Sequence, residues 1–221
     1  MHDERRATAA DAAILAGGLI LAAAIRVVLW PTPGLVGDLD QFVLWVHGIA
    51  TTPFGNAYDQ NLSFPPVMVY IWGALAAIEP AFRTVTTSAE PAIRAIMKAP
   101  ASLADIALAA VVAWHLRATP RWAVVGGLAI ALHPAVIDVS AWWGQYESIY
   151  VLGGAIAFVL AVRGHSLWAA AALAVALMTK PQALPFIVPF AAWFLARDGW
   201  AGAVRAAAVG AAAIVVLWLP F

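Results

Sequence analysis

Apolar runs near bilayer length recur along this chain, at about residues 12–30, 99–117, 121–139, 148–163, 165–180, 183–196 and 203–219. Lipid offers a backbone no hydrogen-bond partners, so a chain that enters it must form helices or a closed barrel. The two-residue alternation of a membrane barrel is absent and Ala and Leu dominate the runs, which leaves helices. The runs reach or approach the roughly 17–25 residues needed to cross. Composition agrees: 64% of the 221 residues are hydrophobic and 11% charged, with mean hydropathy +0.86. That is too little charge for the surface of a soluble domain. The expected fold class is therefore all-α: a polytopic membrane helical bundle of about seven transmembrane helices, forming a single membrane domain over residues 1–221.

Formal net charge is zero, so no basic footprint points to nucleic acid. The absence of cysteine removes disulfides and thiolate metal sites. Met1 to Arg6 is short and charged, and no small-residue cleavage site follows, so residues 12–30 read as a retained first helix. Ala-rich, Lys-poor usage points to a high-GC bacterium, and hence to the plasma membrane (the bacterial inner membrane) with several passes.

Topology turns on Phe64 to Ile78, which Pro65-Pro66 opens and Glu79-Pro80 closes. About fifteen apolar residues suit a re-entrant or interfacial helix at least as well as a span. With the amino terminus cytoplasmic and this segment not crossing, Arg5, Arg6, Arg117, Arg121, Arg163, Arg197 and Arg205 fall inside. Arg83, Arg94, Lys98 and Lys180 fall outside, while Arg26 stays within the first span. Seven against four favours this arrangement over the crossing one, which gives six against five. Residues 31–98 then form a first extracytoplasmic loop with two juxtamembrane helices, one over Asp38 to Ala50 and one after Pro65-Pro66. A second, short outer loop centres on residues 141–147, and Asp38, Asp40, Asp59, Glu79, Glu90, Asp138, Glu147 and Lys180 share the outer face.

Three outer motifs can carry chemistry. Gly37-Asp38-Leu39-Asp40 supplies carboxylates at the start of an aromatic helix. Asp38 reads equally as the helix N-cap and as a general base within reach of a hydroxyl. His47, further along that helix, can line the same loop. Trp142-Trp143-Gly144-Gln145-Tyr146-Glu147 is partly an aromatic belt. A belt does not account for Gln145 and Glu147, and aromatic faces beside Trp143, Gln145, Tyr146 and Glu147 suit a sugar ring among other ligands. Thr179-Lys180-Pro181-Gln182 ends a span with a cation that either snorkels or neutralises a phosphate. Asp105, within the second span, needs a partner, for which Arg94 or Lys98 is in range, and a structural ion pair weighs equally with a site role. The histidines lack metal-ligand spacing, and Asn61-Leu62-Ser63 is an accidental glycosylation match in a bacterial chain.

In order along the chain stand Gly37-Asp38-Leu39-Asp40-Gln41, Phe64-Pro65-Pro66 in place of Tyr-Pro-Pro, Ala104-Asp105-Ile106 and Leu132-His133-Pro134. Gly144-Gln145-Tyr146-Glu147, Lys180-Pro181-Gln182 and Leu217-Trp218-Leu219-Pro220-Phe221 follow. This order resembles the GT-C type glycosyltransferases that use lipid-linked sugars, above all the ER glucosyltransferases using dolichyl-phosphate-glucose and their bacterial relatives. The eukaryotic members carry His-Phe-Gln-Tyr-Asn where this chain has Trp143-Gly144-Gln145-Tyr146-Glu147, so the sugar does not transfer with the resemblance. Family members run about twice this length, which makes the chain a core module, either a fragment or a short protein completed by a second membrane subunit.

The resemblance implies inverting transfer of a hexose from a polyprenyl-phosphate donor to a hydroxyl of a lipid-linked or glycan acceptor. Asp38 would be the catalytic base. Lys180, Arg94 and Lys98 are the candidates to stabilise the leaving phosphate. Asp40, His47, Asp105, Trp143, Gln145, Tyr146, Glu147 and Gln182 complete the expected substrate-binding set. No cofactor is expected, although other branches use a divalent metal, which Asp40 and Glu147 would then help to hold. Two alternatives stand beside the enzyme: a non-catalytic, lipid-binding membrane subunit, favoured by the length, and a transporter with Asp105 and Glu147 as intramembrane carboxylates.

Overall fold

The computed structural model describes residues 8–221, so the basic amino-terminal pair Arg5 and Arg6 lies outside the described residues. Those residues are all-helical, with no strand. Nine α-helices follow in order: α1 (Ala9–Leu29), α2 (Val36–Thr51), α3 (Pro66–Ile78), α4 (Pro91–His115), α5 (Pro120–Ala131), α6 (Pro134–Ile137), α7 (Glu147–Val162), α8 (Ser166–Leu177) and α9 (Ile187–Trp218).

Local chemistry explains where they begin. Thr8 and Asp11 form a reciprocal capping box: the Thr8 hydroxyl oxygen accepts from the Asp11 amide at 3.1 Å, and Asp11 accepts from the Thr8 amide at 2.9 Å. Proline occupies the first turn of α3, α4, α5 and α6, where its missing N–H costs nothing.

Among the described residues, three helices are long and apolar enough to cross a membrane: α1, α4 and the stretch Pro181–Trp218. A fourth is added if Pro120–Ala131 and Pro134–Trp143, bent by 45° at their break, count as one span. These helices mark a membrane protein. The seven apolar runs are thus not seven long helices. α7 and α8 have 16 and 12 residues, and α3 has 13; at 1.5 Å per residue each falls short of a bilayer core about 30 Å thick. The last two runs merge into α9 but are interrupted at Gly199 (φ 66°, ψ −174°), a conformation open to glycine. Ile187 and Ile214 nevertheless line one groove. A straight helix would hold them about 40 Å apart, so the chain folds back at Gly199.

By its packing the chain divides into two compact units. Unit 1 is residues 1–39 and 88–148, and unit 2 is residues 40–87 and 149–221. In unit 1, α1, α4 and α5 pack through small residues: Ala22, Ala109 and Ala131 form a buried cluster. A Cβ on Gly127 would come within 3.0 Å of Leu15 and 3.1 Å of the Ala113 Cβ. Close backbone approach of this kind is how helices associate where no water drives them together. In unit 2, Ala161, Ala169, Ala170, Phe194 and Ala206 form the core, with Phe190 and Ala203 packed on it.

Candidate functional site

The site in unit 1 is built where three pieces of chain meet: the turn after α1, the start of α2, and a π-helical segment, Asp138–Trp143. π-Helical turns are rare and cluster at functional sites. This one ends on Gly144 at φ 93°, and the amides of Gly144 and Gln145 both donate to the Val139 carbonyl, at 3.1 and 2.9 Å. The reversal aims Trp143 and Gln145 at α2. Trp143 Nε1 donates to Asp38 Oδ2 at 2.8 Å, and Gln145 Nε2 donates to the same oxygen at 2.7 Å. Asp38 is half-buried. It is not the expected N-cap: α2 starts at Val36, so Asp38 lies inside the first turn, and its carboxylate reaches the facing loop.

The neighbouring cations are committed. Lys98, fully buried, donates through Nζ to the Thr32 carbonyl at 2.8 Å. Arg94 donates to the carbonyls of Ser88 at 2.6 Å, Pro31 at 2.8 Å and Ala89. Both tie the turn after α1 to α4. Tyr146 is also buried, and its hydroxyl donates to the Met97 carbonyl at 2.9 Å. Pro100 lies inside α4 and has no N–H to donate to the carbonyl four residues back, that of Ile96, one residue before Met97.

Asp105 has a different partner from those expected. Neither Arg94 nor Lys98 pairs with it; Arg26 does, with Nε 3.0 Å from Asp105 Oδ2 and side-chain exposures of 1% and 0%. Arg26 Nη1 further donates to the carbonyls of Ala22 at 3.0 Å and Ala131 at 2.8 Å. Ser140 Oγ donates to Asp105 Oδ2 and Ser148 Oγ to Oδ1. Two in-span charges of opposite sign could have been matched from sequence, since each needs a buried partner. Arg94 and Lys98 were nearer in sequence but lie on Asp105's own helix, where their side chains are drawn to the turn after α1.

The remaining candidates belong to unit 2, apart from the half-buried Glu147, which precedes Ser148 at the start of α7. Asp40 is half-buried on α2. His47 Nδ1 lies 2.9 Å from the Phe82 carbonyl, which can only accept, so this nitrogen carries the hydrogen. His47 thereby braces α2 to the short helix after α3. Lys180 is buried, in extended backbone, with its ammonium 5.5 Å from the centre of the Phe64 ring. Gln182 is exposed. Phe64 itself belongs to a cluster absent from the sequence expectations. Phe42, Trp45, Phe64 and Trp72 pack with ring centres 5.1–5.9 Å apart. The three-residue spacing of Phe42 and Trp45 on one helix face was the available signal.

A second aromatic group, Phe54, Tyr58, Tyr70, Trp218 and Phe221, joins the carboxyl-terminal segment to the 54–70 region. Tyr70 adds a hydrogen bond to the Leu217 carbonyl at 3.0 Å. Among the described residues no group of three or more His, Asp or Glu side chains is arranged to hold a metal ion.

In comparisons with known proteins, no family model, no curated protein and no solved structure matches the chain.

Proposed function

We propose that the chain is a multi-pass glycosyltransferase of the bacterial inner membrane, of the GT-C type. In this reading it moves a hexose, with inversion, from a polyprenyl-phosphate donor to a hydroxyl of a lipid-linked or glycan acceptor on the extracytoplasmic face. The bundle then has about seven passes. The observation that carries the reading is the convergence of Trp143 and Gln145 on Asp38. Two outer motifs, one singled out as a general base and the other as a surface that suits a sugar ring, meet at one carboxylate.

Asp38 acts as general base. Both of its hydrogen bonds fall on Oδ2, which leaves Oδ1 to take the acceptor proton as the hydroxyl oxygen attacks the anomeric carbon. The partners are neutral donors, so they orient the carboxylate without cancelling its charge. The Trp143 ring offers an apolar face of the kind that stacks on a pyranose. The leaving phosphate is stabilised electrostatically by a cation, for which the sequence resemblance offers Lys180, Arg94 and Lys98. Arg94 and Lys98, spent on backbone carbonyls, hold the site's walls instead.

The test is reconstitution in proteoliposomes with radiolabelled polyprenyl-phosphate hexoses and lipid extracts as acceptors. Transfer by the native chain that falls at least about 100-fold in Asp38→Asn supports the assignment. Transfer unchanged by that substitution rejects Asp38 as base. The commitment of Arg94 and Lys98 to scaffolding favours one second reading, a lipid-binding subunit without catalysis; native chain that binds the donor but never turns it over would select it.

A further inference from the structure

We infer that Asp105 is a positioning residue for Asp38, acting as a clasp on the loop that holds it. The inference rests on the reading of Asp38 as the working carboxylate, but its structural half can be tested without any activity.

The clasp is visible in which residues bond to what. Ser140 and Ser148 bracket the loop 141–147, and both hydroxyls donate to the one Asp105 carboxylate, Ser140 to Oδ2 (sharing its hydrogen with the Val136 carbonyl at 3.0 Å) and Ser148 to Oδ1. The two ends of the loop are therefore tied to one side chain on α4. Between them the side chains divide by direction. Tyr146 points back to α4 and donates to the Met97 carbonyl, while Trp143 and Gln145 point forward to Asp38. Gly144 makes the reversal at φ 93°, and a Cβ there would lie 2.6 Å from Leu39, the neighbour of Asp38. Loop and α2 are thus in contact with no spare room.

Arg26 completes the device. Arg26, anchored by the Ala22 and Ala131 carbonyls, pairs with Asp105 through Nε at 3.0 Å, so a cation backs the carboxylate that both serines bond. An ion pair serving only to join α1 to α4 would need neither serine. The pair of serines at the two loop ends is what makes the cluster a clasp. Since a misplacement near 1 Å can cost about 100-fold in rate, a loop tied at both ends is a fitting support for a base.

Ser140→Ala/Ser148→Ala opens the clasp and leaves the ion pair in place, so the variant folds. Hydrogen exchange followed by mass spectrometry, on the full chain in nanodiscs, should speed up roughly tenfold at 141–147 and at the first turn of α2, with α1, α4 and α5 unchanged. In the transfer assay the double variant should lose about 10- to 100-fold in kcat, with KM for the donor lipid unchanged. Ser148→Thr, which keeps the hydroxyl, should retain native exchange and native kcat. Unchanged exchange at 141–147 overturns the inference, as does acceleration spread evenly over α1, α4 and α5. A native chain without transfer, but with the local acceleration, would leave the clasp standing and remove the glycosyltransferase reading.

Discussion

Two aspartates of unit 1 lie in sharply different company. Asp105 has no exposed surface and sits among a guanidinium and two hydroxyls. Asp38 is half-buried and, among the described residues, accepts from an indole N–H and a carboxamide. Both receive hydrogen bonds from the same stretch of chain, residues 140–148. At Asp105 the negative charge is cancelled inside the protein, so the carboxylate is a fixture. At Asp38 the charge is oriented but not cancelled, so it stays available to an incoming group. In the proposed reading, the type of donor around a membrane carboxylate, more than the presence of the carboxylate, separates scaffold from chemistry.

The comparison breaks first under charge removal. Asp105→Asn leaves the Arg26 guanidinium buried without its counter-charge and should cost about 3–5 kcal/mol in unfolding measurements. Arg26→Met combined with Asp105→Asn should recover most of that loss. Asp38→Asn, whose donors still find an oxygen, should cost less than about 1 kcal/mol. Equal losses at the two aspartates would erase the distinction.

Next comes the hinge between them. Gly144→Ala places a Cβ at φ 93° and 2.6 Å from Leu39, so unfolding measurements should register about 1–3 kcal/mol. Trp143→Phe keeps the ring and removes one donor to Asp38. It should cost about 1 kcal/mol in the same measurement, and less if the carboxylate rehydrates.

The smallest effect is a control in unit 2. Burial, and then the nearby Tyr70, push the Tyr58 phenol up from its ordinary value of 10.0, and its hydroxyl donates to the Phe64 carbonyl at 3.0 Å. With the folded pKa raised, the phenol's contribution is complete below pH about 10 and drains away above it, as the unfolded chain ionises first. The melting temperature should therefore fall more steeply above pH 10 in the native chain than in Tyr58→Phe, with Asp38 and Asp105 variants showing the native slope.

Much of the helical layout was legible because its signals are local. Apolar runs flagged the helices, and proline at the starts of α3, α4, α5 and α6 marked their boundaries. The breaks were less legible: Gly199 folds α9 back through a single positive φ, and sequence offers only the glycine itself. Asp38, Trp143 and Gln145 were each recognisable as polar or aromatic groups in costly places. Their meeting was not, since Trp143 and Gln145 are separated from Asp38 by more than 100 residues and the π-helical turn that aims them has no sequence signature. Arg26 was passed over because a charge inside a span was read alone rather than paired with the other one. The Phe42, Trp45, Phe64 and Trp72 cluster was hidden because two helices contribute to it.

Stability separates the two aspartates, and rate decides what the separation is for. The direct measurement is the initial rate of hexose transfer from a polyprenyl-phosphate donor by the native chain and by Asp38→Asn, prepared side by side in proteoliposomes with melting temperatures recorded for both. If Asp38 is the base, the variant melts with the native chain and transfers at least about 100-fold more slowly. A variant that melts with the native chain and transfers at its rate would contradict the central claim.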